Sequence, residues 1–592
     1  MLRLMVSTGA GAAAAALLAA CGGSSAPKLN STNTAAPTTG AASTSAATSA
    51  ATSAATSAAT SATTSASPAT GGAASTSTSS SPSSASGGQT AAANAKHGGS
   101  LVVGNEADMN DLDPVKATGT HANRTLRNVM ETLVSLFNDA GELQPDLATK
   151  WEISGDGLTY TFHLRDAKFH NGDPVTADDV NFTFARQLDP NNEWYKKMGP
   201  FPYGNTEFPY LLADKTETPD TKTVIFHLSQ PDSTFLDNLT WAGNGIIPAA
   251  LVKQVLNGFS QHPVGAGPFK FTSYEKDTSF IIERFDDYWA GPAYLDKVIF
   301  KPVVEDASRL VQLQAGQLDL VPALPPDLAA KAKADSNLDL IQKLGNHIWW
   351  VTLNTHEKPF QDKRVRQAMN YAIDKEAIVK SVLAGLAEVS PTFGYPGSPY
   401  FDSNIQPYPH DPDKAKSLLA DAGYADGFST VFLVPQSGSG MIAPTQIATV
   451  MQSQLAQVGV KAQIQVLEWT SYLSAYFAGL DKPQAGMGQM SWMVPSSNPG
   501  MYVNELLIGN GGLDAGYYDN PDVNKLLLQA RATTDESQRA DLYKQAAKIV
   551  TDEAPWIFMF YAYNLVASNK KVQNIVLNPD YNNLHLERVW IE

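Results

Sequence analysis

Residues 22–96 carry almost nothing that a core could use. They are Ser, Thr, Ala and Gly with scattered Pro, and four copies of ATSA lie between Ala47 and Ala62. Such a segment cannot bury enough apolar surface to offset the entropy of ordering, so it is expected to be disordered. As a flexible coil its ends would sit on the order of 45–50 Å apart, which makes it a tether. Folding is therefore left to the rest of the chain, roughly 495 residues, more than a single core usually spans. Two lobes or more are expected.

The formal charge of the chain is −16, and Arg3, Lys28 and Lys96 are the only charged side chains before residue 98, leaving −19 for residues 98–592. So acidic a body repels nucleic acid and anionic lipid, and no nucleic-acid partner is expected. The single cysteine, Cys21, excludes an intramolecular disulfide and a thiolate metal cluster. It ends a short apolar N-terminus, MLRLMVSTGAGAAAAALLAAC, directly after Leu18-Ala19-Ala20. This arrangement resembles a bacterial lipoprotein signal peptide, residues 1–21, in which the box cysteine becomes the lipidated first residue. No other stretch is long and apolar enough to span a bilayer.

The body opens with a strand, GGSLVVGNEA, followed by Leu126, Val129, Met130, Leu133 and Leu136 at helical spacing. WEISGDGLTYTFHLR then gives a strand, a turn and a second strand with Tyr160, Phe162 and Leu164 on one face. Thr176 and Asp179 have the spacing of a helix-opening capping pair. From HIWWVTLNT onward, apolar strands alternate with amphipathic helices as far as PWIFMFYAYNLVASN. Alternation of this kind predicts layered α/β structure.

Several segments together are similar to one family. NVMETLVSL, PDLATKWEISGDGLTYTFHLRDAKFHNGDPVTADDVNFTFAR, HPVGAGPFKF, AGQLDL, LNTHEKPFQDKRVRQAMNYAIDKEAI and AKSLLADAGY run in family order and cover most of residues 98–592. The chain resembles the family 5 extracytoplasmic solute-binding receptors of bacterial ABC importers for oligopeptides, dipeptides and nickel. That resemblance implies a two-lobed periplasmic-binding-protein-like α/β fold, the large three-subdomain type II form, with hinge strands between lobes. Lobe one would take residues 98–350, with a subdomain at 146–265 and a C-terminal return at 559–592. Lobe two would take residues 351–558, after a tether at 22–97, with HIWWVTLNT and PWIFMFYAY as crossing strands.

His163 and His170 in FHLRDAKFH lack a third spaced ligand, so no metal site is expected there. HExxH, the Walker loop and G-x-S-x-G are absent, and no catalytic residue or cofactor is predicted. GAG at 265–267 and GNGG at 509–512 read as turns. The resemblance assigns ligand contact to Trp469 and Trp492, with Tyr476, Met493 and Ser496 beside them, and to Thr118, Gly119, Thr120 and His121 in a lobe-one loop. In peptide-binding relatives the turn after the second Trp carries an Asp that receives the ligand ammonium. Aligned by Trp492 and Pro499, that position is Pro495 here. The basic residue that takes a dipeptide carboxylate is also missing from LVPQSGSGM, around Gly438. The turn MSWMVPSSNPG thus reads as a rigid neutral wall of the cleft, and the missing anchors speak against short free peptides.

The leading expectation is a lipid-anchored receptor on the outer face of the cell membrane. As a monomer, it would close two lobes on an oligopeptide and deliver it to permease and ATPase subunits. A neutral oligosaccharide stacked on Trp469 and Trp492 is the alternative within that class. A signalling or adhesion lipoprotein is a second class, and a hydrolase is a third.

Overall fold

The computed structural model describes residues 95–592 except 137–140, 203, 439, 510–512 and 581–583. The expectations for the signal peptide, Cys21 and nearly all of the tether lie outside the described residues, as does most of GNGG. Among the described residues no helix is long and apolar enough to cross a membrane.

One large mixed sheet organises the body. In spatial order its strands are Val460–Leu467, Phe428–Pro435, Met487–Met493, Leu338–Leu353, Trp556–Asn569, Leu320–Pro322, Ser100–Asn105, Lys297–Pro302, Ser279–Arg284 and Phe269–Glu275. Ala387–Val389 adds to Trp556–Asn569. The two longest strands lie at the centre and belong to both halves. They pair antiparallel in two runs, Leu338↔Asn569 to Leu344↔Tyr563 and Ile348↔Tyr561 to Thr352↔Trp556, and the pairing breaks at 345–347. Both are longer than HIWWVTLNT and PWIFMFYAY, because each continues into the neighbouring half.

Side chains gather into separate cores on either side of this break. Trp349, Trp350, Phe432, Ile447, Tyr543 and Phe560 belong to one core, which also takes in Met487 and Met490. Leu101, Val103, Phe269, Ile282, Val298 and Leu586 form the lobe-one core. A third core, around Phe162, Phe184, Phe226 and Phe235, fills a four-stranded sheet and its helices within 133–266. There the sequence reading holds in detail. Tyr160, Phe162 and Leu164 point inward on Thr159–Leu164. Thr176 donates through its backbone and its hydroxyl to Asp179 Oδ2, at 2.9 and 2.6 Å, at the start of Ala177–Leu188.

The helix expected through Leu126–Leu136 ends at Leu126. Its apolar residues are all buried, but carbonyls beyond 127 accept from other segments. Phe269 N–H donates to Asn128 O, Gly267 to Val129 O and Ile246 to Glu131 O, at 3.1, 3.0 and 2.8 Å. Those carbonyls cannot also hold a helix, so tertiary pairing overrides the helical spacing. The GAG glycines are accordingly more than turns. A Cβ at Gly267 would lie 2.7 Å from the Val129 carbonyl carbon, and one at Gly265 would strike the Val129 oxygen. His170 joins the same junction, meeting Gly267 O at 3.0 Å and accepting from Gly265 N at 3.2 Å, while His163 faces Glu152 at 3.5 Å.

Lys375 is a buried cation at the start of Lys375–Ser381, donating to Asn370 Oδ1 at 3.2 Å. Burial pushes its ammonium down from 10.5 to about 7. Between those values the unfolded chain holds a proton that the folded chain does not, so this group makes stability rise with pH. Lys375→Met should therefore be more stable than the parent near neutrality. Urea unfolding of both is expected to show that advantage shrinking as pH rises toward 10.5.

Candidate ligand-binding cleft

Four distant segments meet at one cavity between the lobes, lined by Asn123, Arg127, Trp241, Ala242, Pro495 and Asp580. It measures about 10 Å³, close to the space one water needs. Asn123 lies in the helix Thr120–Leu126 and Arg127 directly follows it. The Arg127 guanidinium donates to Thr132 Oγ1 at 3.2 Å and to Thr240 O. Pro495 follows the strand Met487–Met493, and its carbonyl accepts from Asn346 Nδ2 at 3.4 Å. Asp580 arrives on the C-terminal return, where its N–H donates to Asn578 Oδ1 at 3.1 Å.

The cavity sits on the hinge. Asn346 lies where the crossing strands lose their pairing, and its N–H donates to Pro579 O at 2.8 Å. Asn564 on the opposite strand donates to Asn578 O and Pro579 O, each at 3.0 Å. The same backbone break thus fixes both Pro495 and the residues next to Asp580.

Beyond Pro495 the turn reaches the 133–266 core. Asn498 Nδ2 donates to Asp237 Oδ2 at 2.8 Å and to Ser233 O at 3.1 Å. Ser233 N–H donates to Arg531 O at 2.8 Å. Ser496, buried beside them, accepts from Asn498 N–H at 3.1 Å. Burial pushes the Asp237 carboxyl up, while hydrogen bonds from Ser496 and Asn498 oppose the shift. The two halves are therefore in direct polar contact in this conformation.

The aromatic residues expected at the ligand lie in lobe two. Trp469 is buried and stacks on Tyr472, with ring centres 5.9 Å apart and planes 8° from parallel. Its ring lies against Gly438, where a Cβ would overlap it. The glycine in LVPQSGSGM thus leaves room for the tryptophan. Trp492 is half-buried, edge-on to Phe477 at 6.4 Å. Met493 packs near Gly440, and His347 lies beneath the same loop. Trp349 Nε1 donates to His347 Nε2 at 3.1 Å, and burial pushes that imidazole down to about 3, keeping it neutral. Tyr476 lies inside the lobe-two core, its hydroxyl 2.5 Å from Thr352 Oγ1.

The lobe-one loop is tied to its own lobe. Thr118 N–H donates to Asn110 Oδ1 at 2.9 Å, and Thr120 Oγ1 to Glu106 Oε1 at 3.1 Å. Gly119, with φ +93°, opens the helix beneath the His121 ring, whose Nε2 meets Asp108 O at 2.9 Å. Arg124 grips Glu106 at 2.9 and 3.1 Å; despite burial, this holds the carboxyl at about 2. Of the residues expected at the ligand, Pro495 lines the cavity, and Thr118–His121 begin the helix whose later residues line it. Asn123, Arg127, Trp241, Ala242 and Asp580 were not anticipated. A sign of the first two was available, since THANRTLRN places Asn123 and Arg127 four residues apart, on one helical face.

Comparison with known proteins agrees with this architecture. Residues 142–514 match the family described as "Bacterial extracellular solute-binding proteins, family 5 Middle". Heme-binding protein A of Haemophilus influenzae is 34% identical over 482 residues, covering 78% of this chain and 86% of that protein. The dipeptide-binding protein of Escherichia coli is 30% identical over 83% of this chain and 95% of its own length. An ABC transporter-associated periplasmic binding protein from Helicobacter pylori, solved with the peptide STSA, superposes with a TM-score of 0.69. That pair is 28% identical, covering 84% of this chain and 99% of the other. Two lobes on one continuous sheet, a cavity at their hinge and this extent of similarity lead to one assignment. The chain belongs to the family 5 bacterial extracellular solute-binding proteins, extracytoplasmic receptors that deliver solutes to ABC permeases and are not enzymes.

Proposed function

We propose that this receptor takes up an oligopeptide, holding it chiefly by its backbone between lobe one, residues 98–350 with the 559–592 return, and lobe two, residues 351–558. The observation that carries the reading is the cavity at the hinge, walled by polar and apolar groups of lobe one and by Pro495 of lobe two. The 30% identity to a dipeptide-binding protein and the fold shared with a receptor crystallised with STSA support it. A cavity of about 10 Å³ cannot admit a peptide, so the lobes must separate to load and close afterwards. Mass spectrometry of whatever is released on denaturing the purified protein tests the ligand class. Peptides are the expected release; a tetrapyrrole or a sugar would defeat the reading.

Trp492, half-exposed at the end of its strand, is assigned to stack on the bound solute. Truncating a well-placed aromatic at a binding site often costs about 2 kcal/mol, so Trp492→Ala is expected to weaken binding by roughly tenfold or more. Calorimetry with the identified peptide measures this, and unchanged affinity would remove Trp492 from the site. The protein is further assigned as a monomer, anchored by a lipid on Cys21 after removal of residues 1–20. Cys21→Ser is expected to shift it from the membrane to the soluble fraction, and retention in the membrane would refute the anchor.

A further inference from the structure

Where the 133–266 core meets the turn after Trp492, the contact surface holds two buried acids. Asp232 precedes the short helix Phe235–Asn238 and Asp237 lies in it, and they are 5% and 6% exposed. Asn498 and Ser496 reach the Asp237 carboxyl from the opposite side, and Ser233 N–H donates across to Arg531 O at 2.8 Å. We propose that closing this surface takes up protons, so that acid favours the closed receptor. The inference rests on the opening and closing motion proposed above, and not on the class of solute.

The surroundings of each acid decide the direction. Asp237 faces neutral donors, Asn498 Nδ2 at 2.8 Å and the Ser496 hydroxyl. Asp232 accepts from Thr234 N–H and Oγ1 at 2.9 and 2.7 Å, bonds within its own loop that opening leaves in place. The nearby arginines are engaged elsewhere. Arg539 donates to Tyr400 Oη at 3.0 Å and to Thr533 O at 3.1 Å, and Arg531 lies 5.1 Å over the Tyr210 ring. Burial is therefore the largest influence on both carboxyls, and it pushes both up against those hydrogen bonds and arginine charges. Glu505 faces Arg531 and Asp232, and burial pushes it the same way, so it adds to the effect. Tyr160, Tyr210, Tyr400 and Tyr543 complete the cluster; burial pushes all four up, so they stay neutral as the medium acidifies.

Separating the surfaces returns Asp232 and Asp237 to water, where a carboxyl titrates near its ordinary 3.8. Between that value and the raised one, the closed form holds protons that the open form has released. Falling pH thus moves the population toward closure, and rising pH loosens it. Apparent solute affinity follows the same course, because it scales with the competent fraction.

The Ser233 amide reports this motion directly, since its acceptor lies across the interface. Hydrogen exchange of the full-length protein, freed of solute by dialysis in mild denaturant and refolded, is read by mass spectrometry. Rates are corrected for the intrinsic pH dependence of amide exchange. Relative to the strand Thr159–Leu164, protection at Ser233 is expected to rise roughly threefold to tenfold between about pH 7.5 and about pH 5. Asp232→Asn together with Asp237→Asn keeps the acceptors but removes their titration, so most of that rise should vanish. Protection that is unchanged or lower in acid would overturn the proposal, as would a full rise in the double variant. If that variant fails to protect Thr159–Leu164, Asp237→Asn alone decides, and an undiminished rise there overturns the proposal equally. A Ser233 amide as slow as the strand at both pH values would instead refute the opening motion itself.

Discussion

Arg186→Ala is expected to destabilise the protein by about 3–5 kcal/mol, the range for removing one partner of a buried ion pair. Arg186 and Asp113 are 1% and 0% exposed, and the guanidinium grips the carboxylate through two bonds of 2.7 Å each. With the arginine gone, Asp113 stays buried with an uncompensated charge. The pair connects Ala177–Leu188 of the 133–266 core to the loop that leads into Thr118–His121, so loosening it also frees one wall of the cleft. Replacing both partners with Met and Leu should recover most of the loss, since matched apolar groups are often as stable as a buried pair. Urea denaturation of the single and double variants checks this. A single-variant cost below about 1 kcal/mol would mean that the pair does not secure the subdomain.

Asn498→Leu is expected to weaken solute affinity by about tenfold to a hundredfold while leaving each lobe folded. In the closed form Asn498 supplies a hydrogen bond to the buried Asp237, and leucine would leave that carboxylate short of a donor at a cost of about 1–3 kcal/mol. Any cost confined to the closed state reduces the competent population and so the apparent affinity. Adding Asp237→Asn removes the charge and should return part of the affinity. Calorimetry combined with small-angle scattering separates the outcomes. Unchanged affinity, or an affinity loss with unaltered closure, would rule out this contact as a latch.

Local chemistry in the sequence reveals much of this fold. The Thr176–Asp179 cap, the alternation at Tyr160, Phe162 and Leu164, and the strand-helix order after His347 each depend on neighbours a few residues away. Leu126–Leu136 misleads because carbonyl partners more than a hundred residues distant decide its backbone. The cleft is hard to read for the same reason. Its lining converges from 123–127, 241–242, 495 and 580, and no period or spacing connects those positions. Pro495 was accessible only through its place after Trp492 in a turn resembling that of relatives. Tyr476 carries the same aromatic signal as Trp469, yet its hydroxyl finds Thr352 and its ring goes inward.

The C-terminal return has a consequence for how the molecule is made. Val572, Leu584, Leu586 and Val589 fill the core built around Leu101 and Val103, and Asn128 bonds to both Leu584 O and Leu586 N–H. The core around Trp349 and Tyr543 draws on 348–561, a stretch that is complete before those residues leave the ribosome. The lobe whose first strand emerges early is thus late to close, waiting on residues 572–589. Asp580 belongs to that late segment, so the cavity gains its carboxylate only after residues 348–561 have been made. A prematurely ended chain could present folded parts to the permease but no finished hinge with which to hold cargo.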